Sequence, residues 1–228
     1  MEQVLFSVRL SFQVALIATV FSVVFGCAFA YLLARRNFYG KELVDVVLTL
    51  PLVLPPTVTG YLLLVLFGSR GLLGGYIYSL TGYTLMFTWQ AAVLCSFIVS
   101  LPLMIKTARA AFESVDEKLL QASYIMGYSE LHTFFRILLP LSRRGLYAGT
   151  ILAFARALGE FGATLMLAGN IEGKTDTMPL AIYADVVSGD WNRAWGMVLL
   201  FTLISGVFLY AANKLAGKQR WVLGPVRA

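Results

Sequence analysis

Long apolar runs broken by short polar stretches set the pattern of this chain. Five runs reach the roughly 20 residues that a helix needs to cross a hydrocarbon core of about 30 Å, at 10–34, 45–67, 87–110, 144–169 and 195–216. Backbone donors and acceptors find no water inside lipid, so each run is predicted to be a helix. The run lengths argue against a transmembrane β-barrel, whose strands would be about 10 residues of alternating polarity. One polar interruption is more elaborate than the others. Residues 119–140, LLQASYIMGYSELHTFFRILLP, carry amphipathic helical spacing around Gly127 and end on Leu139 and Pro140. The best reason for a membrane chain to keep such a segment outside the bilayer is that another protein holds it.

Composition and charge add an orientation. Of 228 residues, 59% are hydrophobic and 13% charged, and mean hydropathy is +0.77, unlike a soluble domain of this length. Thirteen of the 18 basic residues border one side. These are Arg35, Arg36 and Lys41, then Lys106, Arg109, Lys118, Arg136, Arg143 and Arg144, then Lys214, Lys218, Arg220 and Arg227. Arg9, Arg70, Lys174 and Arg193 border the other side, and Arg156 falls inside a run. The positive-inside rule places the 107–143 segment and the C-terminus in the cytoplasm and the N-terminus outside. An odd number of spans fits. The formal charge of +6 thus reflects topology, and no separate basic domain exists to bind nucleic acid.

The chain reads as one membrane domain, 10–213, with a cytoplasmic tail at 214–228. Arg9 is not followed by a short apolar run and small-residue cleavage site, so the first run is expected to stay as an anchor. Cys27 and Cys95 lie in predicted spans and read as small buried apolar residues. His132 is the only histidine, so no metal-ligand spacing exists. The outer segment 68–86 is rich in Gly and Tyr, and 170–194 carries Glu172, Asp176, Asp185 and Asp190. Each is either a contact for an extracytoplasmic partner or a solvated connection.

Within the cytoplasmic segment, Asp116 and Glu117 precede a predicted helix from Lys118 to Met126, where carboxylates complement the N-terminus. Gly127 can end it in the left-handed conformation. A second piece, Ser129–Leu138, is expected to start with Ser129 as cap and to stop at Pro140. The result is a helix–Gly–helix elbow, with Ala122, Ser123, Tyr124 and Gly127 small or aromatic enough to fit a cleft.

This pattern resembles the coupling loop of ABC importer permeases, E-A-A-x3-G-x9-I-x-L-P. The matching positions are Gln121, Ala122, Ser123, Gly127, Ile137, Leu139 and Pro140. Gln121 stands where the family has Glu, keeping hydrogen-bonding reach but not charge, and Ser123 replaces the second Ala. LPLVLPPTVTGYLLL at 50–64 and FARALGEFGATL at 154–165 resemble the molybdate branch of these permeases. The resemblance covers most of 10–213. It implies an all-α, type I ABC importer transmembrane domain in a bacterial inner membrane, crossing it several times. It further implies a second copy of the chain, two ABC ATPase subunits at the cytoplasmic loop and an extracytoplasmic oxyanion-binding protein. ATP and Mg would sit on the ATPase subunits, with no cofactor held by this chain.

Two constellations inside predicted spans bear on substrate. Arg156 and Glu160 fall near the middle of the fourth run, where an ionisable group costs about 2.5–3.5 kcal/mol on insertion scales. Their i, i+4 spacing lets them pair. They are either a structural salt bridge or part of a path in which Arg156 attracts an oxyanion and Glu160 prevents it from binding too tightly. Gly159 and Gly162 flank Glu160 and permit close helix approach, which suggests a two-fold axis beside this face. In the second run Pro51, Pro55 and Pro56 precede Thr57, Thr59 and Gly60. Prolines free carbonyls and interrupt a helix, and interrupted helices often line transporter cavities. Thr57 and Thr59 then offer hydroxyls to an anion, or else the run is only a packing kink.

Residues 168–175, AGNIEGKT, fit a loose phosphate-loop pattern. The pattern needs a strand before it and a helix after it in an α/β domain, and a predicted membrane helix precedes it here. It is rejected, and no catalytic dyad or triad is visible. The sequence therefore reads as the permease subunit of an ATP-driven oxyanion importer, with molybdate first. Sulfate, tungstate and ferric iron remain open as substrates, and a non-ABC secondary transporter is the reading from another class.

Overall fold

The computed structural model describes residues 2–218. The helices are α1 (Glu2–Arg35), α2 (Lys41–Val53), α3 (Pro56–Phe67), α4 (Gly74–Thr81), α5 (Trp89–Glu113) and α6 (Glu117–Ile125). They continue with α7 (Glu130–Thr133), a π-helical turn at Phe134–Leu138, α8 (Leu139–Leu158), α9 (Gly162–Ala168), α10 (Met178–Ser188) and α11 (Trp191–Lys218). No strand occurs among the described residues.

The long helix α5 is the hub, packing on α1, α8, α9 and α2. Lipid tails are as apolar as leucine, so helices in a membrane associate through close packing of small residues rather than by burying large apolar ones. The α1 seam follows that rule, with Ala15, Ala18, Ser22, Gly26 and Ala30 buried at three- and four-residue spacing. The Ser22 and Ser100 hydroxyls meet across it at 2.8 Å. Outward-facing Leu16, Val20, Val24, Leu199 and Leu203 stay exposed, as a lipid-facing surface requires. Cys95 is buried as expected and its thiol donates to the Ala163 carbonyl at 3.3 Å, while Cys27 is half-buried.

Three helices, α1, α5 and α11, are long and apolar enough to cross a membrane by themselves, and the count reaches five if each of two bent pairs is one span. The second and fourth predicted runs are those pairs. α2 and α3 meet at a 119° bend, and the Glu130–Leu158 run meets α9 at 57°. The causes are local. A residue before proline avoids the helical region, and Leu54 is extended, with ψ of 139°, ahead of Pro55 and Pro56. In the fourth run α8 ends at Leu158, and the Glu160 carboxylate accepts from the Ala163 N–H at 2.8 Å, which opens α9.

The bent second run still connects the two sides. Near its start, Asp45 pairs with Lys106 at 3.4 Å and Arg109 at 2.9 Å on the cytoplasmic half of α5. Further on, Leu63 of α3 joins the core cluster that holds Ala91 and Ala92 at the opposite end of α5. With each bent pair counted as one span the crossings number five, which is odd. The outer segment 170–194 is not a simple solvated connection. It contains α10, and Thr175, Asp176, Thr177 and Met178 are buried. Ser7 donates to Asp176 Oδ2 at 3.0 Å and the Met178 N–H to Ser11 Oγ at 2.7 Å, docking the segment on the outer end of α1. α11 runs through Lys218, into the expected tail. The rest of that tail, with Arg220 and Arg227, lies outside the described residues.

The two broken spans are packed against each other. A Cβ added at Gly60 would lie 2.7 Å from the Ala163 Cα, and one at Gly162 would lie 2.9 Å from the Pro56 Cβ. Backbone cannot retreat as a side-chain tip can, so overpacking here costs about 1–3 kcal/mol. Gly60→Val is expected to lower the thermal midpoint of the detergent-purified chain by several degrees. Gly206→Ala, where a Cβ meets open space, should leave the midpoint within measurement error.

Candidate functional site: a cytoplasmic elbow and an intramembrane break

The elbow forms from α6, α7 and the π-helical turn. Asp116 caps α6 by accepting from the Lys118 N–H, and Ser129 caps α7 by accepting from the His132 N–H. Between them Gly127 adopts φ of +83°. The Tyr128 N–H bonds the Ser123 carbonyl and the Gly127 N–H the Tyr124 carbonyl, the paired bonds of a left-handed helix stop. A side chain with a Cβ would be strained there.

Pro140 does not stop the second piece. α7, the π-helical turn and α8 form one unbroken helical run, and Pro140 sits in the first turn of α8. Proline lacks the N–H that would bond the Arg136 carbonyl, and its ring crowds that carbonyl. The preceding turn widens to fit, and the Leu139 N–H reaches back to the Phe134 carbonyl. Such π bulges relieve a local misfit without ending a helix.

The seven elbow residues expected from the sequence fall into three groups. Gln121, Ala122, Gly127 and Pro140 are exposed, and Ile137 and Leu139 are half-buried. Ser123 does not present itself to a cleft. It is buried, and its hydroxyl meets that of Thr133 at 2.8 Å, tying α6 to α7. The most exposed large apolar side chains are instead Ile125, Met126, Leu131 and Phe135, with Tyr128 stacked on His132 at 4.4 Å. Four large apolar side chains beside charged groups, on the side the charge bias places in the cytoplasm, form a surface suited to a protein partner.

The inner end of α1 holds this elbow, a role the sequence did not disclose. Arg36 Nη2 reaches both Glu130 oxygens at 2.7 and 2.6 Å, and Tyr31 donates to Glu130 Oε1. Arg35 donates to the Phe112 and Val115 carbonyls and lies 3.8 Å from Glu117. Tyr31 also packs edge-on against Phe134 at 5.0 Å, with Phe112 completing the cluster. Exposed ion pairs contribute about 0–1 kcal/mol, whereas aromatic pairs add about 0.5–1.5 kcal/mol each beyond their buried area. The aromatic cluster therefore holds the elbow and the charges orient it. A cavity of about 430 Å³ lies between the two, lined by Arg35, Gln121 and Tyr124 among others.

The intramembrane break gathers the remaining residues. Arg156 Nη1 lies 2.8 Å from Glu160 Oε2, so the expected pair forms. It bridges the end of α8 and the break rather than two turns of one helix. The Glu160 side chain is 1% exposed and that of Arg156 28%. The Glu160 carboxylate thus has two tasks, starting α9 and neutralising Arg156. Thr59 is buried and its hydroxyl has no partner among the described residues, while Pro55, Pro56 and Thr57 are exposed. Gly162 packs on Pro56 of the same chain, a close approach made within one chain. Gly159 is exposed and meets only its own helix.

The 168–175 segment lies between α9 and α10 with no strand before it. Thr175 is buried, accepts from the Ile171 N–H at 2.9 Å and donates to the Gly169 carbonyl at 3.2 Å. Its hydroxyl is used inside the turn, unlike that of a phosphate loop.

Residues 11–219 match the family model of the binding-protein-dependent transport system inner membrane component. The chain belongs to this family. It is a multi-pass inner-membrane permease subunit of a binding-protein-dependent transport system. It is 44% identical over 219 residues to the molybdenum transport system permease protein ModB of Haemophilus influenzae, covering 96% of each chain. It is 51% identical over 177 residues to ModB of Escherichia coli K12, covering 78% of this chain and 77% of the relative. Among solved structures, the methionine ABC transporter MetNI in inward-facing conformations matches with a TM-score of 0.74 at 15% identity, over 96% of each chain. That likeness shows the fold, an ABC importer transmembrane domain.

The latch carries its own pH dependence. The hydrogen bond from Tyr31, with Arg36 beside it, holds the Glu130 carboxyl below the usual carboxylate range. A lowered folded-state value contributes stability above the ordinary value, about 4.3, that is lost as pH falls through the lowered one. Amide exchange across 117–133 in the purified chain should therefore quicken as pH drops below about 4.3, after correction for intrinsic rates. Glu130→Gln should remove that dependence, and Phe134→Ala should raise exchange at pH 7 more than Arg36→Gln does.

Proposed function

We propose that this permease conducts a tetrahedral oxyanion, molybdate first, by alternating access driven by separate ATPase subunits. Two copies of the chain would stand above two such subunits, each elbow seated on one, with an extracytoplasmic oxyanion-binding protein delivering the anion. ATP and Mg would be held by the ATPase subunits.

The elbow carries this reading. It is rigidly built, capped at both helices, latched to α1, and presents Ile125, Met126, Leu131 and Phe135 to the cytoplasmic side. Its second half is continuous with α8 as far as Leu158, so a displacement of 130–138 reaches the Arg156–Glu160 break through a single helical run. A ligand shifts such a system only by binding its two states differently. ATP would do so from below and the loaded binding protein from above. The molybdenum-transport relatives, one of which matches nearly end to end, support the substrate class.

At the break, Arg156 retains partial exposure beside the exposed Gly159, and the unpartnered Thr59 hydroxyl lies on the facing helix. A conduit must release what it accepts, and the neutralising Glu160 keeps Arg156 from holding an anion tightly.

Two measurements test the reading. In proteoliposomes containing the whole complex, molybdate with its binding protein should stimulate ATP hydrolysis several-fold, tungstate similarly and sulfate less. Equal response to all three would leave the oxyanion class and remove the ranking, and no response would overturn the proposal. Breaking a buried pair from one side costs about 3–5 kcal/mol, so the pathway role is tested with the double variant Arg156→Gln/Glu160→Gln. The amide oxygen introduced by Glu160→Gln can still accept from the Ala163 N–H, so α9 keeps its start. Uptake should fall at least about tenfold with assembly intact, a barrier increase near 1.4 kcal/mol. Unchanged uptake would make the pair structural only.

A further inference from the structure

The side poor in basic residues keeps four of them, and two meet. Arg9 of α1 and Lys174 of the 169–177 turn, 165 positions apart, line one cavity of about 360 Å³ with Gln13, Trp89 and Gly173. The uncharged run 10–34 is long enough to fill the hydrocarbon core, which places Arg9 at the outer boundary. Trp89 stands in the first turn of α5, a helix of 25 residues whose N-terminus carries partial positive charge.

No carboxylate lines this cavity. Glu172 is two residues from Lys174 yet forms no ion pair with it, and Arg193, another outer cation, is used by Asp185 at 3.4 Å and Gln3 at 2.6 Å. Among the described residues, the side chains of Arg9, Lys174, Gln13 and Trp89 make no hydrogen bond or ion pair. Two cationic residues, a glutamine and a tryptophan from three elements therefore line one cavity with no internal hydrogen-bond partner. Like charges held together without an acid repel each other, and an anion between them relieves that repulsion.

We infer that this outer cavity is an entry site for a tetrahedral oxyanion, held by Arg9 and Lys174 with Gln13 and Trp89 donating, before the anion reaches the intramembrane break. The inference rests on the proposed oxyanion import. It assigns the first protein–anion contact to the outer mouth, since Arg156 is neutralised by Glu160 while Arg9 and Lys174 have no counter-ion. Its cationic floor also draws the anion out of a docked binding protein, and salt weakens that attraction.

The test uses the full chain in phosphatidylcholine nanodiscs at low ionic strength, with inorganic molybdate as probe and tryptophan fluorescence as readout. Wild type should show a saturable change that sulfate also produces and that Trp89→Phe removes. Arg9→Gln/Lys174→Gln should weaken the apparent affinity at least about tenfold, the scale of one charge-assisted hydrogen bond, and Arg70→Gln should not. Both substitutions remove basic residues from the side poor in them, so neither opposes insertion. No saturable change, a change that persists in Trp89→Phe, or equal affinity in the double variant would overturn the inference. Loss of molybdate binding on adding phosphatidylglycerol at constant salt would also overturn it, by giving the cavity to a lipid phosphate. The binding measurement needs no ATPase. Intact binding with an ATPase silent to oxyanions would sink the import reading alone, and an oxyanion-stimulated ATPase without binding here would sink this site alone.

Discussion

Every backbone group inside a bilayer must find a partner in the protein, and this chain breaks two of its spans in spite of that requirement. The breaks are tolerable because they are placed against each other. α3 begins at Pro56 beside Gly162, α9 begins at Gly162 beside Pro56, and Gly60 lets the Ala163 backbone come within van der Waals range. Pro55 and Pro56 bring no N–H to be satisfied, and the Glu160 carboxylate takes the Ala163 N–H. Around Glu160 and Ala163 the irregular backbone is buried in protein, while Pro55, Pro56 and Gly159 stay exposed, and at membrane depth such backbone survives only where it is buried in protein or lines a water-filled cavity. The same arrangement brings Arg156, Glu160 and the unpartnered Thr59 hydroxyl to the broken region, so a packing solution also creates the chain's main polar interruption within lipid.

Two long helical runs connect this region to both membrane surfaces. α1 is fixed outside by Ser7 and Ser11 to residues 176–178, and inside by Tyr31, Arg35 and Arg36 to the elbow. The run from Glu130 to Leu158 carries the elbow directly to the break, with its π-helical turn absorbing Pro140. Force applied at the elbow can thus act on the break along one run while α1 supplies the fixed frame. The latch itself is mostly apolar in origin, through Tyr31, Phe112 and Phe134, and its charges give direction more than strength.

Much of this was legible in the sequence because lipid imposes a length rule that soluble proteins lack. Uncharged runs located α5, α11 and the inner end of α1 within a few residues, while α1 begins at Glu2, well before the predicted start at 10, and the capping signals at Asp116, Gly127 and Ser129 located the elbow. Three things were not legible. The prolines signalled an interruption at 51–56, but a 119° bend depends on what α3 packs against, and that lies a hundred residues away. Pro140 looked like a stop because its missing N–H is visible in sequence, while the widened turn that compensates for it is not. Arg35 and Arg36 served as topology markers, and only folding brings Glu130 and the Phe112 carbonyl to them. Ser123 shows the same limit, since its spacing fits the coupling pattern while its side chain turns inward to Thr133.

On the proposed function, the elbow is where a separate ATPase subunit binds. Co-purification of the tagged chain with its co-expressed ATPase tests this most directly, comparing wild type with Ile125→Asp/Leu131→Asp. Wild type should retain one ATPase subunit per permease chain. The double variant should lose that subunit, with elbow amide exchange unchanged. Absence of a bound ATPase in wild type, or equal retention by both, would contradict it.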